Sequence, residues 1–300
     1  MRRFLVLLAV FLAFAGVVTV SAKTMQERRA ERLARRLSQS SSLHQAASSI
    51  NSSNAPIPKS EVLSPKSFPT TPIIERKDIH FSIPLLVYHH LRPAQPYPKT
   101  TWSWKMSVSP AVFGQQMQWL EDHGYTPVDL DTYVKIARGE TLGPVKPVAI
   151  TFDDSHRTQY DVAFPILKER GFTAVFYLIT KTLDAGESLT RAQVKEMGDA
   201  GMDIQSHTVN HLQLTRLGQA ELDWELAESR RVLEELTGKP VRHIAYPATM
   251  QNALVRERAA EAGYVTGTLM DPRRATEKDE FLRIPRIMMT DETELGRVLP

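Results

Sequence analysis

The stretch PVAITFDDSHRTQY, residues 147–160, places an uninterrupted apolar run directly before two adjacent aspartates, Asp153 and Asp154. Apolar runs of this length are typical of a strand that is buried on both faces, as in a parallel sheet. Successive side chains of a regular strand point to opposite faces, so two adjacent carboxylates share a site only where the strand ends and the backbone turns. The pair therefore predicts either a metal site at a strand end or a cap for the following helix.

Similar apolar runs and helix-like segments alternate along most of the chain. Strands are predicted at 83–91, 146–152, 173–179, 203–207, 242–247, 265–270 and 281–289, and helices at 109–125, 126–140, 160–172, 190–202, 218–238 and 252–264. Strands that alternate with helices of this length indicate parallel βαβ units and an α/β fold. Six or seven such units predict a closed or nearly closed barrel, in which chemistry takes place at the carboxyl ends of the strands.

Composition narrows the classes of protein. The 300 residues are 42% hydrophobic and 24% charged, which is typical of a globular protein with a sizeable core. The absence of cysteine excludes disulfides, cysteine-based zinc sites, lipoprotein anchoring and thiol nucleophiles. The net charge is only +3, and an arginine-rich run at 24–36 carries no interleaved aromatic residues. This pattern favours a solvated helix over a nucleic-acid-binding patch, so no nucleic-acid partner is expected.

The N-terminus has the pattern of an export signal. MRR is followed by 17 residues without a charge, 4–20, and then by the small residues VSA at 20–22. This pattern predicts a signal peptide or signal anchor over 1–22, with 4–20 serving as a membrane anchor if it is not cleaved. The protein is then expected to be periplasmic, attached to the cell envelope or secreted. A basic helix and a Ser/Pro-rich linker are predicted over 23–74, ahead of a folded domain over 75–300.

A pair of histidines provides a second candidate for metal binding. His207 and His211 in SHTVNH follow a predicted strand at the i, i+4 spacing. On a helical turn this spacing places both imidazoles on one face, about 6 Å apart. Together with Asp154 they would form a two-histidine, one-carboxylate site with open positions, the pattern of a catalytic metal. The alternative is a pair of surface histidines with no metal.

A proline turn follows another predicted strand in AYPAT, residues 245–249. Pro247 restricts the backbone and can direct the following amide into the pocket, where an N–H could stabilise an oxyanion. An ordinary proline turn is the alternative interpretation.

Taken in order, these motifs resemble the polysaccharide deacetylase family, also known as the NodB homology domain. The resemblance extends over about residues 85–289 and includes LLVYHHL, TFDD, YDVAFPILKERGFTAVFYLI, SHTVNH, LTGKPVRHIAYP and EAGY. The forms YHHL and AYP are most similar to the branch that contains poly-N-acetylglucosamine and other exopolysaccharide deacetylases. The resemblance implies a distorted (β/α)7-type barrel and a catalytic domain over 75–300. The implied partner is an N-acetylated polysaccharide containing N-acetylglucosamine, hydrolysed with release of acetate.

The resemblance also implies roles for individual residues. Asp153 matches the general base, and Asp154, His207 and His211 match the ligands of a divalent metal. Zn²⁺ is the expected ion, although Co²⁺ and Ni²⁺ accept the same ligands. The backbone amide of Ala248 matches the oxyanion donor.

The chain departs from the family pattern at several positions. Ser155 stands where glycine is usual, and a positive φ there would strain it. Ala245 stands where many members have an arginine that pairs with the base, so Arg286 in IPRI is expected to supply the charge. Ala248 and Thr249 replace an aromatic residue and a glycine.

The general acid is not evident, because no HD motif occurs near the C-terminus. His89, His90 and His156 are substitutes in principle, and each also has a purely structural interpretation. Tyr246, Pro247, His89 and His90 are expected to contribute to substrate binding.

The expected activity is therefore that of an exported, metal-dependent polysaccharide deacetylase. Two other hypotheses stay open: a catalytically impaired carbohydrate-binding or scaffolding domain on the same fold, and a deformylase or deacylase acting on another substrate.

Overall fold

The computed structural model describes residues 81–93 and 98–299. The signal segment and the linker predicted over 1–22 and 23–74 lie outside the described residues. Within the described residues, no helix is both long enough and apolar enough to cross a lipid bilayer.

The described residues form an alternating series of strands and helices. The strands are β1 (Ser82–Ile83), β2 (Leu85–Tyr88), β3 (His90–Leu91), β4 (Ser107–Val108), β5 (Thr126–Pro127), β6 (Pro147–Phe152), β7 (Val175–Leu178), β8 (Asp203–Ser206), β9 (His243–Ala245), β10 (Thr266–Met270), β11 (Ala275–Thr276) and β12 (Ile284–Met288). The α-helices are α1 (Trp102–Lys105), α2 (Pro110–Asp122), α3 (Leu130–Ala137), α4 (Phe164–Glu169), α5 (Arg191–Asp199), α6 (Gln219–Thr237), α7 (Ala253–Glu261) and α8 (Leu295–Val298).

Seven parallel strands close into a barrel in the order β2, β12, β10, β9, β8, β7, β6. The ring closes where β6 pairs with β2 from Leu85 opposite Ala149 to Tyr88 opposite Phe152. β5 adds to the start of β6, and β1 pairs with β11 in a separate two-stranded sheet. The predicted (β/α)7-type barrel is therefore confirmed.

Helix boundaries follow from local sequence signals. The Ser109 side chain accepts a hydrogen bond from the Val112 N–H, and Pro110 starts α2, where its missing N–H costs nothing. Thr190 and Gln193 form a reciprocal capping box at the start of α5. α6 ends at Gly238, which has φ 66°, a conformation that glycine adopts without strain.

Two predicted elements are divided by proline. The run 83–91 forms three short strands. Pro84, which has no N–H to donate to a ladder, separates β1 from β2, and His89 separates β2 from β3. The helix predicted over 160–172 is a π-helix at Gln159–Ala163 followed by α4. Pro165 has no N–H to donate to the preceding turn, so the regular α-helical ladder cannot run through it.

Apolar side chains fill the half of the barrel interior that lies where the strands begin. Leu85, Ala149 and Ile284 pack there with Leu130 and Tyr133 from α3, which lie at the side where the strands begin. The residues of the alternate register, such as Leu86 and Phe152, pack in a second cluster with the surrounding helices. Because this half is apolar, the polar side chains of the barrel can gather at the carboxyl ends of the strands.

Candidate active site

Asp153 and Arg286 form a buried ion pair at the carboxyl ends of β6 and β12. The Asp153 N–H donates to the Tyr88 carbonyl at 3.0 Å, which keeps the residue in line with the barrel wall. Arg286 donates from Nη1 to Oδ1 at 2.7 Å and from Nη2 to Oδ2 at 2.6 Å, and Nη1 also donates to Thr151 Oγ1 at 3.0 Å. Asp153 is 3% exposed and Arg286 is 1% exposed. This bidentate geometry fixes the orientation of the Asp153 carboxylate.

The surroundings of Asp153 also fix its charge. Burial alone would raise the pKa of its carboxyl, but the Arg286 guanidinium outweighs burial and holds the pKa below its ordinary value. Asp153 is therefore ionised at neutral pH and can accept a proton. Arg286 reaches the carboxylate from β12, whereas the arginine usual in the family would stand at Ala245 on β9.

Asp154, His207 and His211 bring three ligand atoms together beside this pair. Asp154 Oδ1 lies 3.4 Å from His207 Nε2 and 3.4 Å from His211 Nε2. All three atoms lie within 4.8 Å of one another. Tetrahedral ligands bonded to Zn²⁺ at about 2.0–2.2 Å are separated by roughly 3.3–3.6 Å. The two separations of 3.4 Å and the donor set therefore fit a divalent metal ion with open coordination positions.

The local backbone explains how two neighbouring aspartates reach one site. Asp154 has φ 75°, so the chain turns sharply as soon as β6 ends. His207 follows β8, and its Nδ1–H donates to the Ala245 carbonyl at 2.7 Å. This hydrogen bond fixes the tautomer and leaves the Nε2 lone pair directed towards Asp154.

The structure corrects one expectation about the histidine pair. His207 and His211 do not lie on a helical turn, because the backbone between them is a loop in which Thr208 and His211 have φ 67° and 58°. Carbonyls of this loop accept hydrogen bonds from Thr180 and Lys181, just after β7. The Thr208 hydroxyl accepts from the His211 N–H at 3.1 Å. A tight turn, rather than a helix face, brings the two imidazoles together.

Ser155 has the left-handed conformation that glycine adopts without strain, with φ 61°. Its side chain is buried, and Oγ accepts a hydrogen bond from the Ile179 N–H at 2.8 Å. The Ser155 carbonyl accepts from the Leu189 N–H at 2.8 Å. The hydroxyl thus satisfies a buried backbone donor, which offsets part of the conformational strain.

The turn after β9 contains two further left-handed residues, Ala248 with φ 51° and Thr249 with φ 64°. Thr249 Oγ1 accepts a hydrogen bond from the Met270 N–H at 3.2 Å, which ties the turn to the end of β10. The usual glycine at the position of Thr249 matches this positive φ. Ala248 lines the pocket, as its predicted role requires.

The site opens into a pocket of about 190 Å³. The predicted residues that line it are Asp153, Asp154, His207, His211, Tyr246, Ala248, Arg286 and His89. Thr249 also lines the pocket, and Trp102, Met106 and Met270 complete it with apolar surface that no sequence motif marks. The pairing of β3 with β4 anchors the loop that carries Trp102, and no motif marks that loop as part of the site.

The remaining predicted residues, His89, His90, His156 and Pro247, differ in their position relative to the pocket. His89 is 4% exposed, and its Nε2 lies 3.9 Å from Asp153 Oδ2. His90 stacks on His156 with 3.4 Å between ring centroids, and His156 Nε2 lies 3.6 Å from Asp154 Oδ2. His90 and Pro247 are not among the residues that line the described pocket.

The (β/α)7 barrel thus places a buried, ionised carboxylate beside a cluster of one aspartate and two histidines that could hold a metal ion. Residues 142–267 match the family described as polysaccharide deacetylase. This match confirms the resemblance inferred from the motifs.

Individual relatives support this assignment. The Bacillus subtilis protein YxkH, named for the same family, is 27% identical over 208 residues, covering 69% of this chain and 71% of that protein. A poly-β-1,6-N-acetyl-D-glucosamine N-deacetylase of Staphylococcus epidermidis is 28% identical over 200 residues, covering 62% of this chain and 69% of that protein. The solved structure of the Streptococcus pyogenes deacetylase PplD in complex with acetate aligns with a TM-score of 0.69 and 29% identity, covering 73% of this chain and 99% of that one.

Proposed function

We propose that the protein is an exported, metal-dependent deacetylase that removes N-acetyl groups from a polysaccharide containing N-acetylglucosamine. The observation that carries the proposal is the placement of an ionised, arginine-held Asp153 directly beside the converging ligands Asp154, His207 and His211. Amide hydrolysis needs a proton acceptor for water and a positive charge near the carbonyl oxygen, and the two parts of the site can supply them.

Asp154, His207 and His211 are the proposed ligands of the metal. Zn²⁺, or Co²⁺ or Ni²⁺, held by these residues would act as a Lewis acid that polarises the acetyl carbonyl. The Ala248 N–H would add a hydrogen bond to the negative charge that develops on the same oxygen.

Asp153 is the proposed general base. Its carboxylate takes a proton from the water molecule whose oxygen forms the new bond to the acetyl carbon. Arg286 keeps the carboxylate oriented and ionised before the reaction begins. Arg286 is a positioning residue in this scheme, because it acts through Asp153.

His89 is the proposed general acid. Two of the histidines that line the pocket, His207 and His211, are assigned to the metal, and the third is His89. His89 Nε2 lies 3.9 Å from Asp153 Oδ2, and burial lowers the pKa of His89, so the ring would acquire its proton during the reaction rather than hold it beforehand. In its protonated form it would transfer a proton to the sugar nitrogen as the carbon–nitrogen bond breaks, so that the products are acetate and a free amine.

The apolar side of the pocket fits the proposed substrate. Trp102 is 64% exposed at the pocket, where its ring offers a flat surface for the C–H face of a sugar ring. The Staphylococcus epidermidis relative is named for a β-1,6-linked N-acetylglucosamine polymer, and the Streptococcus pyogenes structure contains acetate. Both names support an N-acetylated polysaccharide as the substrate. The signal-like segment over 1–22 supports action outside the cytoplasm.

The test is acetate release by the full chain, supplied with Zn²⁺, from chitin, peptidoglycan and β-1,6-linked N-acetylglucosamine oligomers. We expect release from at least one of these polymers, with the β-1,6-linked oligomers giving the highest kcat/KM. A folded protein that binds the metal but releases no acetate from any of them would contradict the deacetylase proposal and favour a carbohydrate-binding domain. Release of formate, or of acid from esters alone, would favour a deformylase or esterase.

A further inference from the structure

Glu225, in the middle of α6, is a fully buried carboxylate that contacts the loop between the two histidine ligands. Its Oε2 accepts hydrogen bonds from the Val209 N–H and the Asn210 N–H, both at 2.9 Å. Its Oε1 accepts a third bond from the Asn210 side-chain amide. The side chain is 0% exposed, so all three bonds are made away from water.

These three donors are the compensation that the described structure gives to the buried charge of Glu225. No Lys, Arg or His among the described residues forms an ion pair with it. A buried carboxylate without a cation costs several kcal/mol, unless charge-assisted hydrogen bonds of about 1.5–3 kcal/mol each offset the loss of hydration. The backbone positions of Val209 and Asn210 therefore depend strongly on Glu225.

The loop between His207 and His211 needs such support. Thr208 and His211 have left-handed backbones without being glycine, a strain of order 1–3 kcal/mol each that persists only where the surroundings enforce it. Val209 and Asn210, which Glu225 holds, are the residues between them. α6 thus restrains the strained turn from the side opposite the pocket.

The two histidines depend on this turn to different degrees. The Ala245 carbonyl fixes the His207 ring by accepting from Nδ1–H. The His207 backbone N–H donates to the Leu178 carbonyl at 2.9 Å. Among the described residues, no carbonyl of another residue accepts from the His211 ring in the same way, and its side chain is 38% exposed. The position of the His211 ring is therefore set mainly by its backbone.

We infer that Glu225 is a positioning residue that holds His211 in ligating geometry and thereby sets the affinity for the divalent metal. The inference rests on the proposed function, since it assumes that Asp154, His207 and His211 bind the ion. Residues that orient metal ligands from behind typically change metal affinity by 10–100-fold when they are substituted.

The test is metal binding by Glu225→Gln in the full chain. The substitution keeps the size of the side chain but removes its negative charge and one of its two acceptor oxygens. Either the two backbone N–H groups or the Asn210 side-chain amide therefore loses its acceptor. We expect Zn²⁺ affinity, measured against a chromophoric chelator, to fall by about 10–100-fold. The visible absorption bands of the Co²⁺-loaded protein should change, because they report the ligand geometry. Glu221→Gln, on the exposed face of the same helix, is the matched control and should match the wild type in both measurements.

The outcomes separate the inference from the proposed function. A folded Glu225→Gln protein with wild-type Zn²⁺ affinity and Co²⁺ spectrum would overturn the inference and leave the deacetylase proposal standing. A wild-type chain that binds neither ion would overturn the metal site itself. Should Glu225→Gln fail to fold, Glu225→Asp replaces it, since the shorter carboxylate keeps the charge but cannot reach all three donors. Unchanged affinity in that folded variant would contradict the inference equally.

Discussion

Carboxylates and histidines meet at both ends of the barrel, and the two clusters are built in opposite ways. At the end where the strands begin, buried His243 contacts Thr266 Oγ1 at 2.8 Å through Nδ1 and Asp131 Oδ1 at 3.3 Å through Nε2. The second oxygen of Asp131 accepts from Arg242 at 2.6 Å. Each of these polar groups is satisfied by a neighbour in the protein.

At the end where the strands finish, the ligand atoms of Asp154, His207 and His211 face one another instead. These are lone pairs that only a proton or a cation between them can satisfy. The cluster around His243 is structural, because each of its polar groups has a partner in the protein. The cluster of Asp154, His207 and His211 is a candidate ligand site, because its lone pairs converge on one point. The division agrees with the general separation of stability and chemistry between the two faces of such barrels.

Replacing Arg286 by methionine should have the largest effect, because it leaves Asp153 buried without its cation. We expect the free energy of unfolding to fall by about 3–5 kcal/mol. Because Arg286 holds the pKa of Asp153 below its ordinary value, its loss raises that pKa. The base is active when ionised, so the acid limb of the kcat/KM profile should move to higher pH.

Arg286→Lys is the control for this variant. Lysine keeps the positive charge but loses the two-pronged contact, so the acid limb should move less than in the methionine variant. An acid limb that stays in place in a folded Arg286→Met protein would show that Arg286 does not control the ionisation of the base.

Replacing Trp102 by alanine should have a smaller effect, confined to the substrate. Contact with an aromatic ring contributes about 0.5–1.5 kcal/mol, which corresponds to roughly a two- to tenfold rise in KM for oligosaccharides. The kcat value and the free energy of unfolding should change little, because the ring is largely exposed. Trp224→Ala, an exposed tryptophan on α6 that does not line the pocket, is the matched control. Equal kinetics for the two variants would exclude Trp102 from substrate binding.

Replacing Asp131 by asparagine should have the smallest effect and should leave the reaction unchanged. Its carboxylate is 43% exposed, so its ion pair with Arg242 contributes no more than about 1 kcal/mol. The carbonyl oxygen of asparagine can still accept from the buried His243 ring. Thermal unfolding should show this small loss, while kcat/KM stays at the wild-type value. A clear loss of activity would show that the two ends of the barrel are coupled.

Much of the fold could be predicted from local patterns. The alternation of apolar runs with capped helices indicated the barrel, and Ser109 and Gly238 marked helix ends that the structure shows within a residue or two. Prolines caused two of the differences: Pro84 and Pro165 interrupt elements whose hydrophobic pattern is continuous. The start of the helix predicted over 126–140 is instead strand β5, which pairs with β6. The period of the hydrophobic residues indicates which side chains are buried. It does not show where a proline, which has no backbone N–H, interrupts the backbone hydrogen bonds.

The site could be predicted only where residues occur in short motifs. Asp153, Asp154, His207 and His211 were identified because each pair is close in sequence and follows a strand. Glu225 and Trp102 could not be identified this way, since their contacts with the site depend on how α6 and the loop before β4 pack. The i, i+4 histidine spacing also suggested a helical turn, because spacing alone cannot reveal the positive φ values of the loop.

The most direct test of the account is to measure metal content and acetate release on the same preparation of the full chain, with and without Asp153→Asn. We expect about one Zn²⁺ per chain in both proteins, together with a fall in kcat of about 10²–10⁴-fold in the variant, the usual contribution of a general base. Acetate release that is undiminished in a folded, metal-loaded Asp153→Asn protein would contradict the assignment of Asp153 as the group that moves the proton.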